Sequence, residues 1–254
     1  MTLCVTDLDG TLVFTGNPAP ELRLVETFRS GRTSLIHEPA REILARLGRD
    51  ENLLVATSRT VEQFLRADLP SLPYVLASNG LELIDHGKVS HRWREGVDRI
   101  LTASTRPWSS LKASCQPVLA AAGVLEAVTE TYFVVAVGTP DAVIACARGL
   151  TPILDPSGWS ADAVGRKLYL LPTALDKKAG VARFMGSRGF SDYVAAGDSP
   201  LDLEMLLGAN AAMAPRGSQL AGLTAQGLLI TQAEGPSAGT EILTWFCSQL
   251  ASGN

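Results

Sequence analysis

The chain has 254 residues, of which 46% are hydrophobic and 19% charged, which is typical of a globular protein with a sizeable core in one large or two modest domains. Its net charge of −4 argues against a nucleic-acid-binding protein or one held on an anionic membrane, since both need a basic surface. The longest charge-free run, 217–233, is broken by glycines and polar residues, so we expect no transmembrane span.

The N-terminus and the cysteines indicate a cytoplasmic protein. No basic segment followed by an apolar stretch opens the chain, so we expect no signal peptide. The cysteines show neither a CxxC pair nor zinc-ligand spacing, which favours reduced thiols over disulfides. These cysteines are Cys4, Cys115, Cys146 and Cys247.

Strand and helix alternate from the N-terminus to Gly80. Short apolar runs predict strands, and amphipathic runs between them predict helices. The predicted strands are 3–9, 52–58 and 74–80, and the predicted helices are 38–47 and 60–69, the second with Thr60 as its N-cap. Near-continuous apolar strands separated by helices are covered on both faces, which predicts a parallel sheet.

The alternation stops after Gly80 and resumes at residue 176. Between these points the sequence predicts a hairpin at 81–93, helices near 95–104, 109–122 and 140–149, and strands at 130–138 and 165–172. The remaining predicted elements are a helix at 176–189, a strand at 193–199, a helix at 200–209, strands at 211–215 and 228–232, and a helix at 239–250. We therefore expect an α/β core formed by 1–81 and 172–254, with an α+β module inserted at 82–171.

Polar residues follow four of the predicted core strands. Ligands of parallel α/β sheets bind outside the carboxyl ends of the strands, so these residues are candidates for one site. They are Asp7 and Asp9 after the first strand, Thr57, Ser58 and Arg59 after the second, Ser78 and Asn79 after the third, and Gly197, Asp198 and Ser199 after the strand at 193–199. Asp202 follows one turn into the next helix, and Lys177 opens the helix before that strand.

Several carboxylates at one sheet edge repel one another unless a cation holds them together, and oxygen ligands favour Mg²⁺. A carboxylate can also act as a nucleophile and form an aspartyl-phosphate. That step needs a cation, a lysine and hydroxyl or backbone donors around the phosphoryl oxygens, all of which these residues supply. Gly10 allows a sharp turn after Asp9, so that backbone amides can face a phosphate.

Four motifs in order resemble those of haloacid-dehalogenase (HAD) superfamily phosphatases. They are "DLDGT" (7–11), "ATSRT" (56–60), the lysine near 177 and "AAGDSPLD" (195–202). The match covers about the whole chain and implies a Rossmann-like three-layer core with a parallel sheet. The inserted module has the position of a C2-type cap, and the module order resembles sucrose-phosphatase-like and Cof-type sugar phosphatases, whose caps are of the C2B type.

A narrower resemblance rests on "SGRTSLIHEPAREILARL" and "SNGLELIDHGKVSHRW" together with the first two motifs. These stretches resemble the phosphatases that accompany tellurium-resistance-type stress operons in bacteria. The resemblance implies a biosynthetic or stress context and no particular substrate.

The HAD resemblance implies a role for each matching residue. Asp7 is the nucleophile, Asp9 is the general acid and then the base, Thr57 bonds a phosphoryl oxygen, and Lys177 neutralises charge. Mg²⁺ is held by Asp7, Asp198 and the main-chain carbonyl of Asp9, with Asp202 supporting it from the outer shell. Positions that face phosphate or substrate are Gly10, Ser58, Arg59 and Asn79.

Some residue assignments stay open at this point. Lys178 is the alternative to Lys177, which we prefer because it directly follows the predicted N-cap. Arg59 either contacts substrate or pairs with a nearby carboxylate. Ser58 is either a substrate contact or a local backbone-bonding residue, and Asp202 is either a metal support or a partner of the helix dipole.

The sequence thus predicts a Mg²⁺-dependent phosphomonoester hydrolase acting on a small, sugar-phosphate-like metabolite. One alternative is a phosphomutase of the phosphomannomutase type, which shares these motifs. Another is a catalytically silent binding protein, against which the intact carboxylates and lysine argue. We expect a monomer or a small homo-oligomer.

Overall fold

The computed structural model describes residues 1–28, 30–222 and 227–252. The chain divides into two compact units, one formed by Met1–Ser90 with Lys177–Asn254 and the other by His91–Asp176. The strands of the described residues are β1 (Thr2–Thr6), β2 (Val13–Gly16), β3 (Leu22–Thr27), β4 (Thr33–His37), β5 (Leu53–Ala56), β6 (Tyr74–Ala77), β7 (Glu82–Asp85), β8 (Lys88–Val89), β9 (Leu125–Thr129), β10 (Val134–Val137), β11 (Trp159–Val164), β12 (Lys167–Pro172), β13 (Asp192–Ala196), β14 (Ala211–Arg216) and β15 (Leu228–Glu234).

The helices of the same residues confirm most of the helical predictions. They are α1 (Glu38–Leu47), α2 (Val61–Leu65), α3 (His91–Ser104), α4 (Trp108–Ala121), α5 (Pro140–Leu154), α6 (Lys177–Arg188), α7 (Leu203–Leu207) and α8 (Pro236–Ser252). Short 3₁₀ turns lie at Ser78–Gly80, Asp155–Ser157 and Pro200–Asp202. Thr60 caps α2 as predicted, and a reciprocal bond with Gln63 completes a capping box.

The main sheet of the first unit confirms the predicted α/β fold. Its strand order is β15-β14-β13-β1-β5-β6-β7-β8, and every pair from β15 to β6 is parallel. β1 lies between β13 and β5, and its Leu3, Cys4 and Val5 are fully buried. Thr6 pairs with Ala196, so the residues that follow β1 and β13 emerge side by side at one edge.

The hairpin around His86 belongs to the first unit, whereas the sequence had assigned it to the insertion. β7 pairs antiparallel with β6, and Ile84 is part of the first unit's hydrophobic core. Residues 172–176, assigned from sequence to the core, fall in the second unit, where Pro172 ends β12. A hairpin pattern specifies a turn and two strands but not the sheet that they join, and this explains the difference in boundary.

β2, β4 and β3 form a small antiparallel sheet, in that order, that the sequence did not predict. Its Val25 and Ile36 pack into the same hydrophobic core as the main sheet. A register shift between Leu24 and Glu26 marks a β-bulge in β3. This sheet places additional side chains beside the first unit's core.

The second unit has its own antiparallel sheet, in the order β11-β12-β10-β9, together with α3, α4 and α5. Its core includes Trp108 and Trp159, whose ring centroids lie 5.6 Å apart, and the buried Phe133. The α+β character matches the prediction, but four strands replace the two expected. Among the described residues, no helix is long and apolar enough to cross a membrane.

Candidate active site

The carboxyl ends of β1, β5, β6 and β13 bring the predicted site residues to one edge of the sheet. The amide of Asp7 donates to the carbonyl of Ala196 at 2.9 Å, which joins the ends of β1 and β13. The amide of Asn79 donates to the carbonyl of Thr57 at 3.0 Å, which joins the turns after β6 and β5. The parallel topology therefore assembles the four strand ends as the sequence predicted.

Of the two adjacent lysines, Lys177 is the one that contacts the carboxylates at this edge. Its Nζ lies 2.5 Å from Asp7 Oδ1 and 2.6 Å from Asp202 Oδ1, and only 2% of its side chain is exposed. Lys178 instead reaches Glu204 at 3.1 Å and is half-exposed. The burial and the two carboxylate contacts favour Lys177 over Lys178 as the lysine of the candidate site.

Asp202 is fully buried, and both of its carboxylate oxygens are hydrogen-bonded. Oδ1 accepts from Lys177, while Oδ2 accepts from the amides of Asp198 (3.2 Å) and Ser199 (3.0 Å) and from Ser199 Oγ (2.8 Å). Asp202 thus caps the turn that begins at Ser199 and also orients Lys177. These contacts place Asp202 at the start of the turn before α7, while its support of a metal ion stays a prediction.

Three carboxylates could hold a metal ion. Oxygens of Asp7, Asp198 and Asp202 all lie within 4.8 Å of one another, and no other such cluster is found in the described part of the chain. Burial raises the pKa of Asp7 well above its ordinary value, because the positive charge of Lys177 only partly offsets the loss of water and the repulsion of Asp202. Burial, and then the charge of Asp202, raises the pKa of Asp198 to about 7. An all-oxygen cluster with an excess of negative charge fits a hard divalent cation.

Gly10 makes the close approach of two strand ends possible. Its φ is +88°, and a Cβ built there would lie 2.3 Å from Asp198 Oδ2. Any side chain would push into the carboxylate cluster. Gly197 is similar, since a Cβ there would lie 2.5 Å from the Cβ of Asp202. The "DG" and "GD" pairs of the two motifs therefore have a steric reason.

Arg59 pairs with carboxylates. Its Nε and one terminal nitrogen each donate to an oxygen of Asp9 at 2.7 Å, and the other terminal nitrogen donates to Glu26 at 2.9 Å. Only 6% of the Arg59 side chain is exposed, against 41% for Asp9. Of the two interpretations left open from the sequence, these contacts favour the carboxylate-pairing one. Glu26 lies outside the four sequence motifs, so the sequence did not indicate it as a partner of Arg59.

The turn after β6 is strained. Ser78 and Asn79 have φ angles of 48° and 56°, which are unusual for residues other than glycine, and Gly80 follows with 97°. Ser78 Oγ and Asn79 Oδ1 are buried without a hydrogen-bond partner in the part of the chain that the structure describes. Strained backbone with unsatisfied polar atoms is typical of functional sites. Asn79 therefore remains a candidate for substrate contact.

Thr57 and Ser58 complete the turn after β5. Thr57 is fully buried, and its Oγ1 accepts a hydrogen bond from the amide of Arg59 at 3.1 Å. Ser58 is partly buried in the same turn. Both residues lie at the predicted edge of the sheet, because β5 is the neighbour of β1, whose end carries Asp7.

No protein-family model matches the chain, and no curated protein matches it in sequence. Solved structures do resemble it. The sucrose-phosphatase of Synechocystis sp., in complex with sucrose and phosphate, has a TM-score of 0.65 at 14% identity over 97% of this chain and 98% of that one. A protein related to trehalose-6-phosphate phosphatase has a TM-score of 0.60 at 16% identity over 100% of both chains. An HAD subclass IIB sugar phosphatase has a TM-score of 0.63 at 12% identity over 97% of this chain and 99% of that one.

These similarities span nearly the full length of each chain, at low identity. They show that the chain has the fold of HAD-type phosphatases, with a Rossmann-like core and an inserted second unit. The fold resemblance expected from the four motifs is thereby confirmed.

Proposed function

We propose that this protein is a Mg²⁺-dependent phosphomonoester hydrolase that acts on a small phosphorylated metabolite through an aspartyl-phosphate at Asp7. The observation that carries the proposal is the buried contact of Lys177 with Asp7 and Asp202, beside Asp198, at the carboxyl edge of a parallel sheet. The contact supports the proposal because phosphoryl transfer needs a nucleophile, a countercharge and metal ligands close together, and these are the roles proposed for the four residues.

The proposed reaction proceeds in two displacements. A carboxylate oxygen of Asp7 attacks phosphorus, the bond to the leaving oxygen breaks, and Asp9 gives its proton to the departing alcohol. Water then attacks the aspartyl-phosphate, Asp9 takes the water proton, and inorganic phosphate leaves with Asp7 restored. Lys177 neutralises the charge that Asp7 and the phosphoryl oxygens share, and Thr57 donates a hydrogen bond to one of those oxygens.

Asp7, Asp198 and the main-chain carbonyl of Asp9 are the proposed ligands of Mg²⁺, supported by Asp202. When bound, Mg²⁺ supplies positive charge to the phosphoryl oxygens and aligns the attacking and leaving groups. Gly10 keeps the ligands close together, because a side chain there would collide with Asp198.

A sugar phosphate is the proposed class of substrate, and the supporting observation is that the similar structures carry the names of sugar phosphatases. A cytoplasmic location is part of the proposal. It is supported by the cysteines, all four of which are free thiols.

The test is the release of inorganic phosphate from a panel of phosphorylated sugars and aryl phosphates, with Mg²⁺ and after treatment with EDTA. We expect turnover with Mg²⁺ that EDTA abolishes and Mg²⁺ restores. The assay contains no sugar bisphosphate activator, so that steady release of phosphate also distinguishes a hydrolase from a mutase. Failure to release phosphate from any ester, or full turnover without metal, would contradict the proposal.

A further inference from the structure

We propose that Glu26 is a positioning residue that acts through Arg59 on Asp9. In this role Glu26 fixes the orientation of the Arg59 guanidinium, which in turn fixes the carboxylate that gives and takes the proton. The inference rests on the proposed function, because it concerns the acid–base step of that reaction.

The guanidinium of Arg59 has a fixed plane, and its two edges bind two different carboxylates. One edge donates to both oxygens of Asp9 at 2.7 Å, and the remaining terminal nitrogen donates to Glu26 at 2.9 Å. A planar fork that is held at both ends cannot rotate without breaking a charge-assisted bond. Glu26 therefore determines the plane in which Asp9 is held.

The backbone of Arg59 is also fixed on both sides. Its amide donates to Thr57 Oγ1 at 3.1 Å, and its carbonyl accepts from the amide of Ser78 at 2.8 Å. With the main chain held, the remaining freedom of Arg59 lies in its long side chain. The contact with Glu26 removes that freedom.

A β-bulge directs Glu26 inward. The register of β3 against β4 shifts between Leu24 and Glu26. Successive strand residues normally face opposite sides of a sheet, yet Val25 is 2% exposed and the neighbouring Glu26 side chain only 10%. Bulges re-aim side chains and are frequent beside active sites. The local backbone thus departs from regular structure at the point where Glu26 reaches Arg59.

Burial makes the pairing strong. Only 6% of the Arg59 side chain is exposed, and an arginine guanidinium keeps its proton in proteins. The guanidinium is therefore charged, and loss of Glu26 would leave one of its buried N–H groups without its carboxylate.

The ion pairs continue from Glu26 to the exposed Arg66 and Glu62, and Glu62 provides a control. Arg66 bridges Glu26 and Glu62, but the side chains of Arg66 and Glu62 are 52% and 84% exposed. An exposed pair of this kind contributes little, and Glu62 forms no hydrogen bond or ion pair with Arg59 in the described residues. Glu62→Gln removes a carboxylate from the chain of charges without touching the clamp on Asp9.

The test compares kcat and KM for 4-nitrophenyl phosphate and benzyl phosphate, in the full chain with Mg²⁺. Benzyl alcohol is a poor leaving group that needs a proton, whereas nitrophenolate leaves without one. General acid catalysis is worth about 10²–10⁴-fold, so partial misplacement of Asp9 by Glu26→Gln should lower kcat/KM for the benzyl ester about tenfold, with a smaller loss for the nitrophenyl ester. The ratio kcat/KM reports departure of the alcohol, whereas kcat also includes the hydrolysis of the aspartyl-phosphate that both esters share. Glu62→Gln should cleave both esters with the same kinetic constants as the unsubstituted chain.

A double-mutant comparison separates positioning from a structural role. In an Asp9→Asn background, Glu26→Gln should cause no further loss on the benzyl ester, because the residue it positions is already gone. Arg59→Lys keeps the positive charge but lacks the planar fork, so it should also lower turnover of the benzyl ester more than that of the nitrophenyl ester. It replaces Glu26→Gln in the test if that variant does not fold. Equal losses on both esters, or a full additional loss in the Asp9→Asn background, would overturn the inference. No turnover by the unsubstituted chain would overturn the proposed function and this role together.

Discussion

At the scale of single residues, Lys177 balances the charges of the site. It is buried between Asp7 and Asp202, whose charges, together with the hydrogen bonds to them, raise its pKa despite burial. Asp202 holds it in turn through bonds to the turn at Ser199. The site is thus a network in which a missing member leaves another charge buried and unpaired.

Lys177→Gln should destabilise the metal-free protein by about 3–5 kcal/mol, the usual effect of removing one partner from a buried ion pair. Lys178→Gln is the matched control, because Lys178 makes an exposed pair whose loss should change the free energy of unfolding by about 0–1 kcal/mol. Urea unfolding of both variants at one pH measures the difference. Equal effects of the two substitutions would show that the buried contact is not formed.

The raised pKa of Asp198 predicts how pH and Mg²⁺ change the stability of the folded protein. In the folded state its pKa is raised to about 7, whereas the pKa of an Asp in an unfolded chain is about 4. Between these values the folded state keeps a proton that the unfolded state has lost, so the metal-free stability attributable to Asp198 falls as pH rises through this window.

Mg²⁺ binds ionised carboxylates, and the pKa values of both Asp7 and Asp198 are raised, so the increase in Tm that Mg²⁺ produces should grow as pH rises through the window from about 5 to about 7. Asp198→Asn should remove the part of that growth that Asp198 causes, and thermal unfolding with and without Mg²⁺ at several pH values measures it. An increase in Tm that does not vary with pH, in the unsubstituted chain, would argue against Asp198 as a ligand.

At the scale of elements, the turn after β1 depends on the absence of a side chain. Gly10→Ala should reduce both Mg²⁺ affinity and turnover, because its Cβ would collide with Asp198 Oδ2. Gly31→Ala is the control, since Gly31 has a similar φ of +80° with nothing within 4 Å of its Cβ position. Both substitutions strain the backbone by about 1–2 kcal/mol. Calorimetric titration with Mg²⁺ should separate them, and equal affinities would contradict the steric account.

The elements that the sequence predicted are those with strong local signals. The apolar runs of β1, β5, β6 and β13, the capped helix α2 and the turn at His86 depend on neighbouring residues. The sheet of β2, β3 and β4 depends on pairing across the segment 13–37, and β9 and β11 depend on pairing within the second unit, so no short window specified them.

The residues of the candidate site could likewise be predicted where a local sequence signal places them. Asp7, Lys177, Asp198 and Asp202 lie together because they follow strands or open helices at one edge, which the pattern already indicates. Glu26 was not predictable, because a bulge and a contact across 33 positions place it beside Arg59. The sequence likewise could not distinguish a substrate contact of Arg59 from a pairing with a carboxylate, and the 2.7 Å distances to Asp9 favour the pairing.

At the scale of the whole molecule, each unit has its own sheet and its own buried core. Replacing residues 91–176 with a flexible Gly-Ser linker should therefore leave a folded first unit that still cleaves 4-nitrophenyl phosphate. We expect this variant to lose preference among sugar phosphates, because the inserted unit is our candidate for substrate selection.

Circular dichroism and the same substrate panel measure both properties. The control keeps residues 91–176 and carries Gly-Ser insertions at the two joints. An unfolded product would show that the first unit depends on the second, and an unchanged preference would place substrate selection within the first unit. The narrower resemblance to stress-operon phosphatases and the oligomeric state stay predictions.

The central claim is that Asp7 attacks phosphorus, and the most direct measurement is phosphate release by Asp7→Asn beside the unsubstituted chain, both purified identically and assayed with Mg²⁺. The amide is nearly isosteric but is not a nucleophile, so we expect turnover to vanish while circular dichroism and the melting temperature show an intact fold. Turnover of Asp7→Asn at the rate of the unsubstituted chain would contradict the account.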